Sequence, residues 1–135
     1  MPLLEWKDDY LVDVRVIDNQ HKRLVDLLNK LFDSMVAGMD KSVIVAVLDD
    51  LIHYTKTHFT TEEMYFERFN YVATKSHIAE HVKFVDQIKE FKQDFEDGKI
   101  SVSQEVVDFL KNWLLSHIGG SDKQYTATFH ANGVR

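Results

Sequence analysis

The chain has 135 residues, of which 44% are hydrophobic and 28% are charged, and its formal net charge is −6. This length and composition predict one globular domain with a core of its own, and the negative charge argues against non-specific nucleic-acid binding, which needs a basic face. Because the sequence has no cysteine, a disulfide scaffold, a thiolate-bound zinc and an iron–sulfur cluster are excluded.

The termini and the hydropathy of the chain predict a protein outside the membrane. No window approaches about eighteen uninterrupted apolar residues, the length typical of a membrane span. The first ten residues, MPLLEWKDDY, contain several acids and no long apolar run, which is unlike a signal peptide. We therefore expect no membrane insertion and a cytoplasmic location.

Residues 1–17 are predicted to form an extended arm along the rest of the molecule. In the segment 12–16, valines alternate with charged residues, a period of two that is typical of extended chain. The segment is short and has no obvious partner strand. Trp6 and Tyr10 are the expected anchors of this arm.

Four helices are predicted after the arm, each with apolar residues that recur every three or four positions. The expected helices are 18–37, 41–66, 74–97 and 103–118, followed by a C-terminal tail over 119–135. Asp18 and Asp40 are the predicted N-caps of the first two helices, and Ser103 or Ser101 that of the fourth. The pair Gly119-Gly120 is expected to stop the fourth helix.

The number and spacing of these helices predict the fold class. Short connections between four helices favour antiparallel neighbours and an up-down-up-down bundle. The alternation of three- and four-residue steps is typical of knobs-into-holes packing. We therefore predict a single all-α domain over 1–135, an antiparallel four-helix bundle with an extended N-terminal arm.

Six polar side chains take positions in the helix faces where leucine or phenylalanine would be expected. They are His21, His58, Glu62, His77, His81 and His117. In an up-down-up-down bundle, the starts of the first and third helices and the ends of the second and fourth lie at the same end. The six side chains should therefore meet at one level of the core, and Asp122, just past the fourth helix, can reach the same level.

The alternative for each histidine taken singly is a hydrogen-bonded core residue. Seven such groups together would cost on the order of 10 kcal/mol, at about 1–3 kcal/mol for each unpaired group, against a domain stability of about 5–15 kcal/mol. Bound cations remove this cost. Seven ligands are too many for one tetrahedral zinc and suit two six-coordinate ions, and the many imidazoles favour iron or another mid-series transition metal.

Four motifs of the chain resemble those of the hemerythrins, and most of all the single-domain bacteriohemerythrins. The motifs are IDNQH at 17–21, HFTTEE at 58–63, HIAEH at 77–81 and HIGGSDKQY at 117–125. The resemblance extends over essentially the whole chain and includes Trp6 near the start and Trp113 before the last motif. It implies a non-haem di-iron centre that binds O2 reversibly.

The resemblance also implies a role for each ligand. His77, His81 and His117 would bind one iron, His21 and His58 the other, and Glu62 and Asp122 would bridge the two irons (Fe2+/Fe3+) together with an oxo or hydroxo group. O2 would bind at the iron held by two histidines. Small ligands such as NO or azide are further expected partners.

Reversible binding requires a dry, apolar pocket that keeps water and protons from the irons. The residues expected to form its wall lie within a turn of the ligands and are Ile17, Leu24, Phe59, Trp113, Leu114 and Ile118. Ordinary core packing is the alternative for these residues. We expect Leu114→Ala to speed autoxidation.

The leading functional hypothesis is an O2 carrier, storage or sensing protein rather than an enzyme. The alternative is a di-iron enzyme acting on O2, peroxide or NO, although the oxidative helix-bundle enzymes use about four carboxylates, and this chain offers two. A third alternative is a structural metal site. His53, His130 and Glu63 are expected at the surface, and Tyr125 near the centre or in core packing.

Overall fold

The fold is an up-down-up-down bundle of four long helices, as predicted. The computed structural model describes residues 4–98 and 104–135. The helices are α1 (Arg15–Val36), α2 (Lys41–Phe69), α3 (Thr74–Glu96), α4 (Gln104–Ser116) and the short α5 (Thr126–Ala131). Helix α1 packs on α2 and α4, and α2 packs on α3. A stacked pair, Phe84 of α3 and Trp113 of α4 with ring centroids 3.8 Å apart, closes the bundle.

The core of the bundle is formed by the apolar faces that the sequence pattern indicates. Each long helix contributes fully buried side chains, for example Leu28, Leu48, Ile88 and Leu110. Burial of a side chain of this size stabilises the fold by about 1.5–3 kcal/mol. None of the described helices combines the length and the apolar character that crossing a membrane would require.

Helix α1 begins three residues before its predicted start, and Asp18 is not its N-cap. The cap position belongs to Val14, which is extended and makes no side-chain cap. The Asp18 carboxylate is buried inside the first turn and accepts a hydrogen bond from the Val12 N–H at 2.7 Å. The prediction was wrong because an aspartate at this place can also satisfy the backbone of the arm, and the arm is correspondingly shorter than 1–17.

The end of α2 also differs from its predicted position. Helix α2 runs three residues past its predicted end, to Phe69, and stops where Asn70 takes a left-handed conformation with φ +51°. Asparagine is one of the few residues that adopt this conformation readily at a helix end. The predicted caps of α4, Ser101 and Ser103, lie outside the described residues.

The arm is tied to α1 at its beginning. The Leu4 N–H donates to Asn29 Oδ1 at 2.9 Å, and the Asn29 amide donates to the Leu4 carbonyl at 2.8 Å. The predicted anchors Trp6 and Tyr10 are half-buried, and their rings meet edge to face with centroids 5.5 Å apart. Leu4 is itself buried and is a third anchor.

The segment after α4 forms a small second core rather than a loose tail. Tyr125 and Phe129 are fully buried and pack with Val12 and Val14 of the arm and with Phe66 of α2. Because the Phe66 ring lies edge to face on His77, this core covers the end of the bundle where the polar core residues meet. The segment after α4 therefore has a structural role, because it covers this end of the bundle.

His130 belongs to this second core's rim and is not a free surface residue. Its ring is half-buried, and its Nε2–H donates to the Asp13 carbonyl at 2.7 Å. Asp13 has a φ of +60°, which turns the arm toward α5. The prediction for His130 missed this contact because its partner lies 117 residues away in the sequence.

Candidate metal centre

The seven predicted ligands converge at one end of the bundle core. All of them are at least 95% buried. Ligand atoms of Glu62, His77, His81, His117 and Asp122 lie within 4.8 Å of one another, and so do those of His21, His58, Glu62 and Asp122. The two groups share both carboxylates, so cations held by the two groups would have Glu62 and Asp122 in common.

Helix geometry explains how α2 and α3 supply two ligands each. Residues four apart on an α-helix lie on one face, about one turn from each other. On α2, His58 Nε2 is 2.9 Å from Glu62 Oε1. On α3, the rings of His77 and His81 have centroids 4.8 Å apart. The motifs therefore present paired ligands without any irregularity in these two helices.

Asp122 reaches the centre because the chain does not stop at Gly119-Gly120. It continues from His117 to Ser121 as a π-helical turn, and the Asp122 N–H donates to the His117 carbonyl. Residues five apart diverge by about 140° on an α-helix, whereas the i→i+5 bonds of a π-turn align them. Asp122 Oδ1 accordingly lies 2.9 Å from His117 Nε2, and the predicted helix stop at the glycine pair was wrong.

Several ligand atoms have no hydrogen-bond partner among the described residues. They are both ring nitrogens of His21, Nε2 of His58, both carboxylate oxygens of Glu62 and Oδ2 of Asp122. Some lie close to one another, as His21 Nε2 does to Asp122 Oδ2 at 2.8 Å, without the alignment of a hydrogen bond. Each unpaired buried group costs about 1–3 kcal/mol, and cations among them would bind the facing atoms together. The residues therefore fit two metal ions.

Burial and the contacts between imidazoles and carboxylates together set the charges in the cluster. Burial, the strongest influence, lowers the pKa of His77, but the hydrogen bond with Asp122 and the nearby negative charge of Glu62 outweigh it and raise that pKa to about 9. Burial and the Glu62 charge raise the pKa of Asp122, but His117 and the other facing imidazoles outweigh them and hold it below its usual value. The pKa of Glu62 is well below its usual value for the same reason. Both carboxylates are therefore anionic at neutral pH.

Gln20 holds the outer nitrogen of His58, Nδ1, by a hydrogen bond. The sequence pattern did not indicate this role for Gln20. The Thr61 hydroxyl donates to the Thr57 carbonyl, so its oxygen accepts from the Gln20 amide at 3.2 Å. The Gln20 carbonyl oxygen is left to accept from His58 Nδ1 at 2.7 Å. This direction leaves His58 Nε2 as the atom that faces the centre. Gln20 stands inside the first motif, but only the fold places it beside α2.

Two acidic residues approach the outer nitrogens of the three-histidine group. Glu80 Oε2 is 3.1 Å from His117 Nδ1, and Glu63 Oε1 is 3.8 Å from His81 Nδ1. Such partners orient metal-binding imidazoles and raise their basicity. Glu63 is half-buried, with its carboxylate toward His81 and part of its side chain in solvent as predicted, and His53 is exposed, also as predicted.

A small, mostly apolar cavity lies beside His21, His58 and His117. Its volume is about 10 Å³, close to the minimum that holds one water-sized molecule. Five of the predicted wall residues line it: Leu24, Phe59, Trp113, Leu114 and Ile118. Ile17 does not, because it lies one turn before His21 on the arm side and packs in the small second core.

Aromatic rings hold the imidazole planes and complete the packing of the centre. Phe59 stacks on His81 with centroids 3.7 Å apart, and Trp113 stacks on His117 with centroids 4.5 Å apart. Tyr125 is buried below His77, and its hydroxyl has no hydrogen-bond partner among the described residues. Burial, with the nearby carboxylates, raises the pKa of Tyr125 well above its usual value, so it keeps its proton.

Comparison with known proteins gives one consistent result. The family model "Hemerythrin HHE cation binding domain" matches residues 12–128. The chain is 35% identical over 125 residues to a bacteriohemerythrin of Pseudomonas aeruginosa, covering 93% of this chain and 80% of that protein. It is 35% identical over 126 residues to a bacteriohemerythrin of Methylococcus capsulatus, covering 93% and 95%. A crystal structure of wild-type hemerythrin matches with a TM-score of 0.88 at 34% identity, covering 93% of this chain and 97% of that one.

Proposed function

The chain belongs to the hemerythrin family, and on that premise we propose that it binds O2 reversibly at a non-haem di-iron centre built from its seven buried ligands. The observation that carries this proposal is the pair of ligand groups that share Glu62 and Asp122. Storage, delivery and sensing of O2 are all served by such a centre.

The two iron positions differ in the number of protein ligands. His77, His81 and His117 would hold one iron and His21 and His58 the other, with Glu62 and Asp122 bridging beside an oxo or hydroxo group. The first group offers five side chains and the second four. The position with two histidines therefore has room for a further ligand, and both of its histidines line the cavity, together with His117 of the other group.

Iron held by these ligands would supply the electrons that O2 accepts. The protein's own contribution is to orient the ligands and to exclude water. Gln20 turns His58 Nε2 toward the centre, and the stacked rings of Phe59 and Trp113 cover the imidazoles. Leu114 lines the cavity with an aliphatic side chain, and an apolar wall limits the protons that could reach bound O2. These features support reversible binding over further reaction.

The cavity also supports a carrier over an enzyme that transforms an organic substrate. A space of about 10 Å³ accepts a molecule of a few atoms at most. Turnover of O2, peroxide or NO is the competing function for a site of this size.

Anaerobic reduction of the iron-loaded protein, followed by air and then by removal of O2, tests the proposal. We expect an absorption spectrum that appears with O2 and disappears without it, from protein that holds two irons per chain. Glu62→Ala should lose at least one iron, whereas His53→Ala, at an exposed position of the same helix, should keep both. Steady consumption of peroxide or NO without a reversible spectrum would indicate an enzyme, and a spectrum that never changes would indicate a structural site.

A further inference from the structure

The Thr55 hydroxyl differs in kind from the other groups that line the cavity beside His21, His58 and His117. The side chain of Thr55 lines the cavity three residues before His58 on α2 and is 1% exposed. The other described lining groups are aliphatic side chains, phenylalanines, the Trp113 indole and the three imidazoles. A hydroxyl in such a lining is expected to have a hydrogen-bond partner, because an unpaired buried polar group destabilises the fold.

The Thr55 hydroxyl has no hydrogen-bond partner among the described residues. Buried hydroxyls on helices commonly bond the carbonyl four residues earlier. Three neighbours on the same helix do so: Thr57 to His53, Thr60 to Lys56 and Thr61 to Thr57. Thr55 makes no such bond, although it is the most buried of the four. The Thr55 O–H can therefore donate a hydrogen bond to a molecule that enters the cavity.

We propose that the Thr55 hydroxyl donates a hydrogen bond to the small ligand that occupies this cavity, and that the cavity thereby selects ligands with a hydrogen-bond-accepting atom. The chemical class is a small anion, or a diatomic molecule that gains electron density at the centre. This inference rests on the proposed function, which places the ligand in the cavity. In a small, mostly apolar cavity a single donor discriminates more strongly than in water, because the low local dielectric constant strengthens its hydrogen bond.

Thr55→Val and Thr55→Ser separate the hydroxyl from the shape of the side chain. Valine keeps the volume and removes the donor, whereas serine keeps the donor. Thr57→Val is the matched control, because Thr57 is exposed and its hydroxyl already bonds the His53 carbonyl. Two measurements are made on each variant: thermal unfolding of the metal-free protein, and the dissociation constant of azide for the iron-loaded, oxidised protein.

We expect Thr55→Val to unfold at the same temperature as the parent or higher, because it removes an unpaired buried group. Its affinity for azide should fall about tenfold, in line with the loss of one hydrogen bond to a charged ligand. Thr55→Ser and Thr57→Val should bind azide within about twofold of the parent, on the basis that neither loses the donor.

Equal azide affinity in Thr55→Val and the parent would overturn the inference. Earlier unfolding of metal-free Thr55→Val would also overturn it, because the hydroxyl would then have a partner within the protein. Failure of the parent to bind iron or azide at all would overturn the proposed function together with this inference. A failure confined to the difference between Thr55→Val and Thr55→Ser would overturn the inference alone.

Discussion

At the scale of single residues, Gln20 determines which nitrogen of His58 faces the metal centre. Gln20→Ala removes the acceptor of the His58 Nδ1 proton, so the ring is free to turn or to change tautomer. Loss of an outer partner of this kind costs about 10–100-fold in metal affinity. We expect a drop of that size, measured by competition with a chelator.

Asn19→Ala is the control for this experiment, because Asn19 carries the neighbouring amide and is exposed. Its metal affinity should equal that of the parent. An affinity for Gln20→Ala that also equals the parent's would mean that α2 alone orients His58, and the role assigned to Gln20 would be wrong.

Leu114 is one of the residues that line the cavity, and its truncation should enlarge that cavity. Leu114→Ala should destabilise the protein by about 2–5 kcal/mol, as large-to-small core changes do, and should let water approach the irons. We therefore expect faster loss of the oxygenated spectrum to the ferric form. The rate is measured by absorption at a temperature where both proteins are folded.

Leu31→Ala separates the effect of access from that of stability. Leu31 is fully buried in the same core but does not line the cavity. The Leu31→Ala protein should lose a similar free energy of unfolding, but its autoxidation should be no faster than that of the parent. Equal autoxidation rates in Leu114→Ala and the parent would remove the gating role of Leu114.

At the scale of elements, a π-turn after α4 and a helix stop at Gly119-Gly120 predict different effects of a substitution at the glycine pair. Neither Gly119 nor Gly120 has a positive φ, and a Cβ at either position would meet no atom within 4 Å. Gly120→Ala should therefore keep both irons and raise stability by about 0.4–1 kcal/mol, through the unfolded chain. Iron analysis and urea unfolding check this.

Gly38→Ala provides the contrast, because Gly38 ends α1 with a φ of +64°. Alanine in that left-handed region costs about 1–2 kcal/mol. A loss of iron or of stability in Gly120→Ala comparable to that in Gly38→Ala would show that the glycine pair does end the helix, contrary to the π-turn.

The elements also show what the sequence could and could not predict. The faces of α2 and α3 were predictable, because burial of one apolar stripe fixes the phase of a long helix and so places Glu62 and His77. Helix ends were not, since Asp18 has the residue type of an N-cap but serves the Val12 N–H instead. The outer partner Gln20 was not predictable either, because its role depends on where α1 lies against α2.

At the scale of the whole molecule, loading with metal should release protons. In the metal-free protein the pKa of His77 is about 9, so this imidazole carries a proton at pH 7 that a metal ion must displace. A raised pKa means that the stabilisation from protonated His77 is complete below about pH 6.5. That stabilisation is lost as the pH rises through about 9, so metal affinity should rise over the same interval.

Zinc added to the metal-free protein in weak buffer at pH 7 tests this linkage. We expect a drop in pH upon binding, and tighter binding at pH 8 than at pH 6. His53→Ala should release as many protons as the parent, because His53 is exposed on the outer face of α2. Binding without proton release would mean that His77 is already neutral before metal arrives.

Anomalous X-ray scattering at the iron edge, from crystals of the iron-loaded protein, locates the metal ions relative to the seven buried ligands. We expect two iron peaks, one among His77, His81 and His117 and one beside His21 and His58. Both should contact Glu62 and Asp122, the residues common to the two ligand groups. A single peak, or two peaks that share neither carboxylate, would contradict the proposed di-iron centre.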